Sequence, residues 1–169
     1  MKLVSFYCDI DGSNYYSEHA KKLKIECESL DMDYIIVEQN FGSTWIDNVR
    51  AKPIFLKKML NELNDDFIWL DVDARVLKKI DLVINNCDWM SDFRGDKTPH
   101  DYVHVIKNSE KNKIFIEKWI QHVSDYKKGS HSSFVKLFNE LKIKQIPKGY
   151  VSIGELSNNK SKTNYLKNG

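Results

Sequence analysis

A short apolar run that ends in two aspartates is the feature that most limits what this chain can fold into. Residues 67–70 read Phe-Ile-Trp-Leu, and Asp71 and Asp73 follow with one residue between them. A short apolar run of this kind predicts a buried strand. Because side chains alternate along a strand, Asp71 and Asp73 are predicted to point to the same side. They then lie at the carboxyl end of the strand, where open α/β sheets bind ligands.

The two carboxylates and a neighbouring cation predict a type of ligand. Hard divalent cations take oxygen ligands, and Mg²⁺ usually binds one or two carboxylates together with substrate phosphates. Arg75 follows the pair and adds a positive charge that favours an anion. We therefore predict a metal–diphosphate site at Asp71 and Asp73, with a solvated acidic turn as the alternative.

Hydrophobic periodicity predicts alternating strands and helices over most of the chain. Ala20, Leu23 and Cys27, for example, have helical spacing. Strands are predicted at 3–7, 34–37, 67–71, 87–93, 102–106 and 143–146, and helices at 15–30, at 53–63, around Trp119 and around Phe134. This order predicts an α/β fold with a mainly parallel sheet and helices on both faces. One domain is expected over residues 1–156, followed by a frayed tail at 157–169 that is rich in Asn, Lys and Ser.

Composition and charge exclude several classes of protein. The 169 residues fit one domain, and a net charge of +2 despite 26 basic residues argues against a strong polyanion-binding protein. Cys8, Cys27 and Cys87 form no CxxC pair, so neither a disulfide framework nor a zinc site is expected. They are predicted to be buried thiols in a reducing compartment. The sequence shows no secretion signal and no apolar run of about 20 residues, so a cytoplasmic protein without a membrane span is expected.

A second pair of aspartates follows the first predicted strand and supports an alternative function. The segment Cys8-Asp9-Ile10-Asp11 resembles the nucleophile loop of haloacid-dehalogenase-like phosphatases. That resemblance implies Asp9 as the nucleophile and Asp11 as the acid/base. Residues 14–16, Asn-Tyr-Tyr, depart from it, because the loop normally continues with an apolar residue. A polar loop with a glycine turn is the plainer interpretation.

Cations also precede the second predicted helix. Arg50 and Lys52 lie just ahead of Pro53, a residue that suits the first turn of a helix. Helix N-termini favour anions, arginine binds phosphate through two N–H groups, and lysine acts as a point charge. Trp45, in the same segment, could stack on a base or pack in the core. The segment predicts a phosphate site, with ordinary surface charge as the alternative.

Three segments, taken in order, resemble one family of enzymes. They are residues 5–7 (Ser-Phe-Tyr), residues 45–55 with Asn-Val-Arg-Ala-Lys-Pro at 48–53, and residues 69–75 (Trp-Leu-Asp-Val-Asp-Ala-Arg). Their order resembles the nucleotide-diphospho-sugar transferases of GT-A type, whose metal motif is Asp-x-Asp. The resemblance implies a single-domain, Rossmann-like GT-A fold. It also implies a metal-dependent glycosyltransferase that moves a sugar from a nucleotide-diphosphate donor to an unknown acceptor, such as a glycan, a protein or a modified nucleic acid.

The resemblance also implies roles for individual residues. Asp71 and Asp73 would bind Mn²⁺ or Mg²⁺ with the donor diphosphate, and Glu155 would replace a late histidine of the family. The donor is expected to contact residues that border the base or carry positive charge: Tyr7, Trp45, Arg50, Lys52 and Arg75.

The acceptor side is less well defined by the resemblance. Candidates for the base that activates the acceptor are Asp92, Asp101 and His131. Residues 101–103 (Asp-Tyr-Val) depart from the Ser-Gly-Thr that the family usually has there, and residues 130–133 (Ser-His-Ser-Ser) depart from the Asp-Gln that often opens its late helix. These departures keep open a degenerate transferase fold that binds a nucleotide without catalysis.

Overall fold

A six-stranded sheet forms the centre of the fold. The structure is a computed structural model that describes residues 1–10, 12–94 and 98–153. The strands are β1 (Lys2–Tyr7), β2 (Tyr34–Glu38), β3 (Phe67–Leu70), β4 (Ala74–Val76), β5 (Trp89–Arg94), β6 (Thr98–Ile106), β7 (Ile143–Gln145) and β8 (Val151–Ile153). The helices are α1 (Tyr15–Ser29), α2 (Trp45–Arg50), α3 (Lys52–Glu62), α4 (Glu110–Tyr126) and α5 (Ser130–Leu137), with a 3₁₀ turn at Phe138–Glu140.

Five of the six strands in the main sheet run in the same direction. The strand order is β2-β1-β3-β6-β5-β7. β1 is parallel to β2 and β3, and β5 is parallel to β7, whereas β6 is antiparallel to both of its neighbours. The prediction of a mainly parallel sheet is therefore confirmed. β4 and β8 form a separate antiparallel ladder that the sequence pattern did not predict.

Alternation along β3 explains why helices cover both faces of the sheet. Phe67 and Trp69 pack into the core cluster that contains α3, α4 and α5, while Ile68 and Leu70 pack into the cluster that contains α1. All four side chains are buried, as the continuous apolar run predicted. Truncating Trp69 to Ala would cost about 3–5 kcal/mol on this basis.

Local signals fix the helices that border the edge of the sheet at which β1 and β3 end. α2 starts with a capping box, in which the Thr44 hydroxyl accepts from the Asp47 N–H and the Asp47 carboxylate accepts from the Thr44 N–H. α3 starts at Lys52, with Pro53 in its first turn. Gly129 precedes α5, and no side chain caps that helix.

Several other predictions can be compared with the fold. The three cysteines are buried and unpaired, as expected. None of the helices in the described ranges is long and apolar enough to cross a membrane. Asp11, Glu155 and the predicted tail at 157–169 lie outside the described residues.

Candidate functional site

A cleft of about 560 Å³ opens where the carboxyl ends of β1 and β3 meet the start of β6. Its lining includes the end of β1, helix α2, the turn after β3, the start of α5 and the residues Asp101 and Tyr102 of β6, together with Tyr16 of α1 and Lys52 of α3. The cleft therefore lies at the edge of the sheet at which α/β folds bind ligands.

Asp71 and Asp73 lie on a tight turn at this edge. β3 ends at Leu70; the Asp71 N–H then donates to the Tyr102 carbonyl at 2.7 Å, and the Ala74 N–H donates to the Asp71 carbonyl at 2.9 Å. Strand alternation is therefore the wrong reason for placing the two carboxylates on one side. The turn itself brings both side chains to the cleft, while Val72 between them is buried in the core.

Lys52 reaches the aspartate turn, but its ammonium group is fully engaged by protein oxygens. Lys52 Nζ lies 2.8 Å from Asp71 Oδ1, 3.1 Å from Asp101 Oδ2 and 2.7 Å from the Asp101 carbonyl oxygen. An ammonium has three N–H donors, so none is left for a phosphate. Burial alone disfavours the charged lysine, but Asp101 and Asp71 outweigh it together and raise the pKa of Lys52. The predicted direct contact with the diphosphate is therefore corrected to a role as counter-ion.

Asp71 keeps part of its carboxylate available to the cleft. Its Oδ1 accepts from Lys52 and also lies 3.1 Å from Trp69 Nε1, which donates to it. Burial raises the pKa of Asp71 to about 6, Asp101 and Asp73 add to the shift, and Lys52 opposes it. Excess negative charge of this kind favours a cation, and carboxylate oxygens are ligands that Mg²⁺ and Mn²⁺ accept. The described residues contain no group of three potential ligands, and the predicted third ligand, Glu155, lies outside them.

Aromatic side chains form the wall of the cleft beside the aspartate turn. Tyr7, Tyr16 and Trp45 all line it, and Trp45 Nε1 donates to the Tyr16 hydroxyl at 2.8 Å. Burial raises the pKa of the Tyr16 phenol, and the negative charge of Asp73 raises it further. Tyr7 and Trp45, which were predicted to border a base, thus lie in the same cleft wall. Tyr16 was not identified from the sequence as a site residue, because its position depends on how α1 is attached to β1.

Asp9 attaches α1 to the end of β1. Its Oδ1 accepts from the backbone N–H groups of Tyr16 and Ser17 at 2.8 and 3.1 Å, and Asp9 does not line the cleft. This carboxylate stabilises the first turn of the helix, where free N–H groups and the helix dipole both favour an anion. The arrangement explains Asp9 without the nucleophilic role of the phosphatase alternative.

Both predicted arginines are engaged away from the cleft. The Arg50 guanidinium donates to the Lys127 carbonyl, and the Arg75 guanidinium pairs with Glu26 of α1. Neither residue lines the cleft. The predicted contacts of Arg50 and Arg75 with a diphosphate are therefore corrected to structural contacts. The partners are 77 and 49 residues distant, so local sequence patterns could not reveal them.

The three candidate bases occupy different environments. Asp92 accepts from the Tyr102 hydroxyl at 2.6 Å and from Gln145 Nε2 at 2.9 Å, and it does not line the cleft. Asp101 lines the cleft but is largely buried against Lys52; its Oδ1 lies 3.2 Å from His131 Nδ1. Burial would raise the pKa of Asp101, but Lys52 and His131 outweigh it and hold that pKa well below its usual range. His131 lines the cleft with a half-exposed ring.

Comparison with known proteins relates this fold to one class of enzyme. No protein-family model matches the sequence, and a search of curated proteins finds no match. Among solved structures, a glycosyltransferase involved in the glycosylation of the major capsid of PBCV-1 is similar, with a TM-score of 0.62 and 11% identity over 86% of this chain and 81% of that chain.

The glycosyltransferase GlyE of Streptococcus pneumoniae TIGR4 is also similar. One structure of GlyE matches with a TM-score of 0.63 and 13% identity over 86% of this chain and 44% of that chain. The apo form of GlyE matches with a TM-score of 0.64 and 12% identity over 88% of this chain and 45% of that chain. The chain thus spans less than half of GlyE. The described domain has the Rossmann-like GT-A fold of glycosyltransferases, which confirms the predicted fold class.

Proposed function

We propose that this protein is a metal-dependent glycosyltransferase that uses a nucleotide-diphosphate sugar as donor. One observation carries the proposal: a single cleft of a glycosyltransferase fold contains both the turn with Asp71 and Asp73 and an aromatic wall. The wall consists of Tyr7, Tyr16 and Trp45. Such a cleft offers oxygen ligands for a cation that bridges phosphates, and flat apolar surface for a base.

Each side of the cleft then has its own part in donor binding. Tyr7 and Trp45 border the base, and Trp45 is fixed by its bond to Tyr16. The carboxylates of Asp71 and Asp73, which both line the cleft, would hold the divalent cation, Mn²⁺ or Mg²⁺. When bound, this cation supplies Lewis-acid stabilisation of the diphosphate leaving group. Lys52 holds Asp71 and Asp101 in place as their shared counter-ion, so the site is formed before the donor arrives.

Turnover of a donor panel tests this proposal. The purified protein is incubated with Mn²⁺ and UDP-glucose, UDP-galactose, UDP-N-acetylglucosamine or GDP-mannose, and released nucleoside diphosphate is measured. We expect metal-dependent release with at least one donor and its loss in Asp73→Asn. Asp65→Asn is the matched control, since Asp65 is an exposed aspartate at the other end of β3. Binding of UDP with no release from any donor would instead favour the non-catalytic alternative.

A further inference from the structure

We propose that His131 is the general base that takes the proton from the acceptor hydroxyl, with Asp101 as the residue that positions its ring. This inference rests on the proposed glycosyl transfer and names the residue that deprotonates the acceptor in that reaction. Three features carry it: the pairing of His131 with Asp101, the anchoring of the start of α5, which carries His131, and the engagement of the other candidate bases.

The pairing with Asp101 leaves one ring nitrogen of His131 for the acceptor. His131 Nδ1 lies 3.2 Å from Asp101 Oδ1, and Asp101 Oδ2 lies 3.1 Å from Lys52 Nζ. The carboxylate favours the tautomer with hydrogen on Nδ1, so the lone pair is on Nε2. Nδ1 is buried and makes no hydrogen bond of normal geometry in this structure, and catalytic hydrogen bonds often tighten only when substrate binds. The His100 ring stacks on His131, with centroids 5.3 Å apart, and restricts its rotation.

The first turn of α5, which carries His131, follows a short connection from α4 that is fixed at both ends. The Arg50 guanidinium donates to the Lys127 carbonyl, and Trp119 Nε1 donates to the Ser130 carbonyl at 3.0 Å. Ser130 is fully buried, whereas the next residue, His131, has a side chain 45% exposed in the cleft lining. The ring is thus held by a rigid support yet remains accessible to a substrate.

The other two candidate bases, Asp92 and Asp101, are already engaged, and so is Asp71. Asp101 binds Lys52 and faces His131, and Asp71 binds Lys52 and Trp69. Asp92 lies outside the cleft and accepts two hydrogen bonds. Lys52 connects the two sides of the site, since one ammonium holds both Asp71 and Asp101. The carboxylate of Asp71 and the Asp101–His131 pair are therefore linked through one buried ammonium group, that of Lys52.

The proposed step balances as follows. The acceptor oxygen forms a bond to the anomeric carbon while its proton moves to His131 Nε2. The bond between the anomeric carbon and the diphosphate oxygen breaks, and its electron pair leaves with the nucleoside diphosphate. Asp101 stabilises the imidazolium that results, as a carboxylate beside a catalytic histidine does.

Kinetics of His131→Gln provide the first test. With the best donor of the panel and water as acceptor, we expect kcat to fall roughly 100-fold or more while KM for the donor stays near the wild-type value. UDP affinity in Mn²⁺ should also be unchanged, because His131 is not needed to bind the donor. His122→Gln is the matched control, since His122 belongs to α4 and does not line the cleft.

Two further measurements separate a base from a structural residue. Added imidazole should restore part of the activity of His131→Ala, and ¹⁵N NMR should show the Nδ1–H tautomer for His131 in the wild type and its loss in Asp101→Asn. A kcat for His131→Gln equal to that of the control, with UDP binding intact, would overturn the role of His131 alone. Absence of UDP and donor binding in the wild type would overturn the proposed function itself.

Discussion

Replacing Lys52 by Met removes the cation shared by Asp71 and Asp101 and should destabilise the protein more than it weakens donor binding. Removing one partner of a buried ion pair costs about 3–5 kcal/mol, because the remaining charge is left unpaired. The Asp71 side chain is 31% exposed and the Asp101 side chain 13%, so water relieves part of that cost. We therefore expect a loss of about 3 kcal/mol, the lower end of that range.

Thermal and denaturant unfolding measure this loss. For a domain of this size about 3 kcal/mol corresponds to a fall in Tm of roughly 6–12 °C. Lys57→Met is the matched control on the same helix, because Lys57 pairs with Glu117 at the surface and both side chains are well exposed. That variant should lose less than about 1 kcal/mol.

The pH dependence of the Lys52→Met defect has a defined sign. Without the ammonium, burial and mutual repulsion should raise the folded-state pKa of the two carboxyl groups. A raised carboxyl pKa stabilises the folded state at low pH, and that stabilisation is lost as the pH rises through the folded pKa. The defect should thus be largest near neutral pH and shrink toward about pH 5. Unfolding like that of Lys57→Met, together with weaker UDP binding, would refute the counter-ion role and restore a direct phosphate contact.

Three further predictions follow from single residues. Asp9→Ala should cost about 1 kcal/mol of unfolding free energy through loss of its bonds to the start of α1, whereas an aspartyl-phosphate trapped at Asp9 would contradict this role. Arg75→Gln should leave Mn²⁺-dependent UDP affinity unchanged by calorimetry, because Arg75 pairs with Glu26; a tenfold loss would contradict that expectation. Burial lowers the pKa of His104, so stability should fall as the pH drops below about 6.5, with up to about 1.4 kcal/mol per pH unit coming from this group. The contribution of Asp71 to the unfolding free energy changes with pH in the opposite direction below about pH 6. The test is therefore the difference in unfolding free energy between wild type and His104→Gln, and a difference that does not depend on pH would contradict the prediction.

The fold was largely predictable because its signals are local. The apolar run at 67–70, helical spacing in α1 and Pro53 at the start of α3 each indicate an element without knowledge of the rest of the chain. The β4–β8 ladder was not predictable, since each strand has only three residues and its partner is distant in sequence. α2 was also missed, because six residues are too few to show periodicity.

The candidate site was predictable in position but less so in its contacts. Asp71, Asp73, Lys52, Tyr7 and Trp45 come together in the cleft because strand ends and helix starts meet at one edge of the sheet. Which charges remain free depends on partners far along the chain. Arg75 is engaged by Glu26, and Lys52 by Asp101, and neither partner is visible in a local motif.

Metal-dependent binding of UDP is the most direct test of the site at Asp71 and Asp73. Isothermal titration calorimetry with UDP is run on wild type, Asp73→Asn and Asp65→Asn, each in Mn²⁺ and in EDTA. Because a cation held by the turn would bridge to the diphosphate, we predict that wild type and Asp65→Asn bind UDP at least tenfold more tightly in Mn²⁺ than in EDTA. Asp73→Asn should lose this difference while keeping its Tm. Equal UDP affinity in Mn²⁺ and in EDTA for the wild type would contradict the proposed metal site.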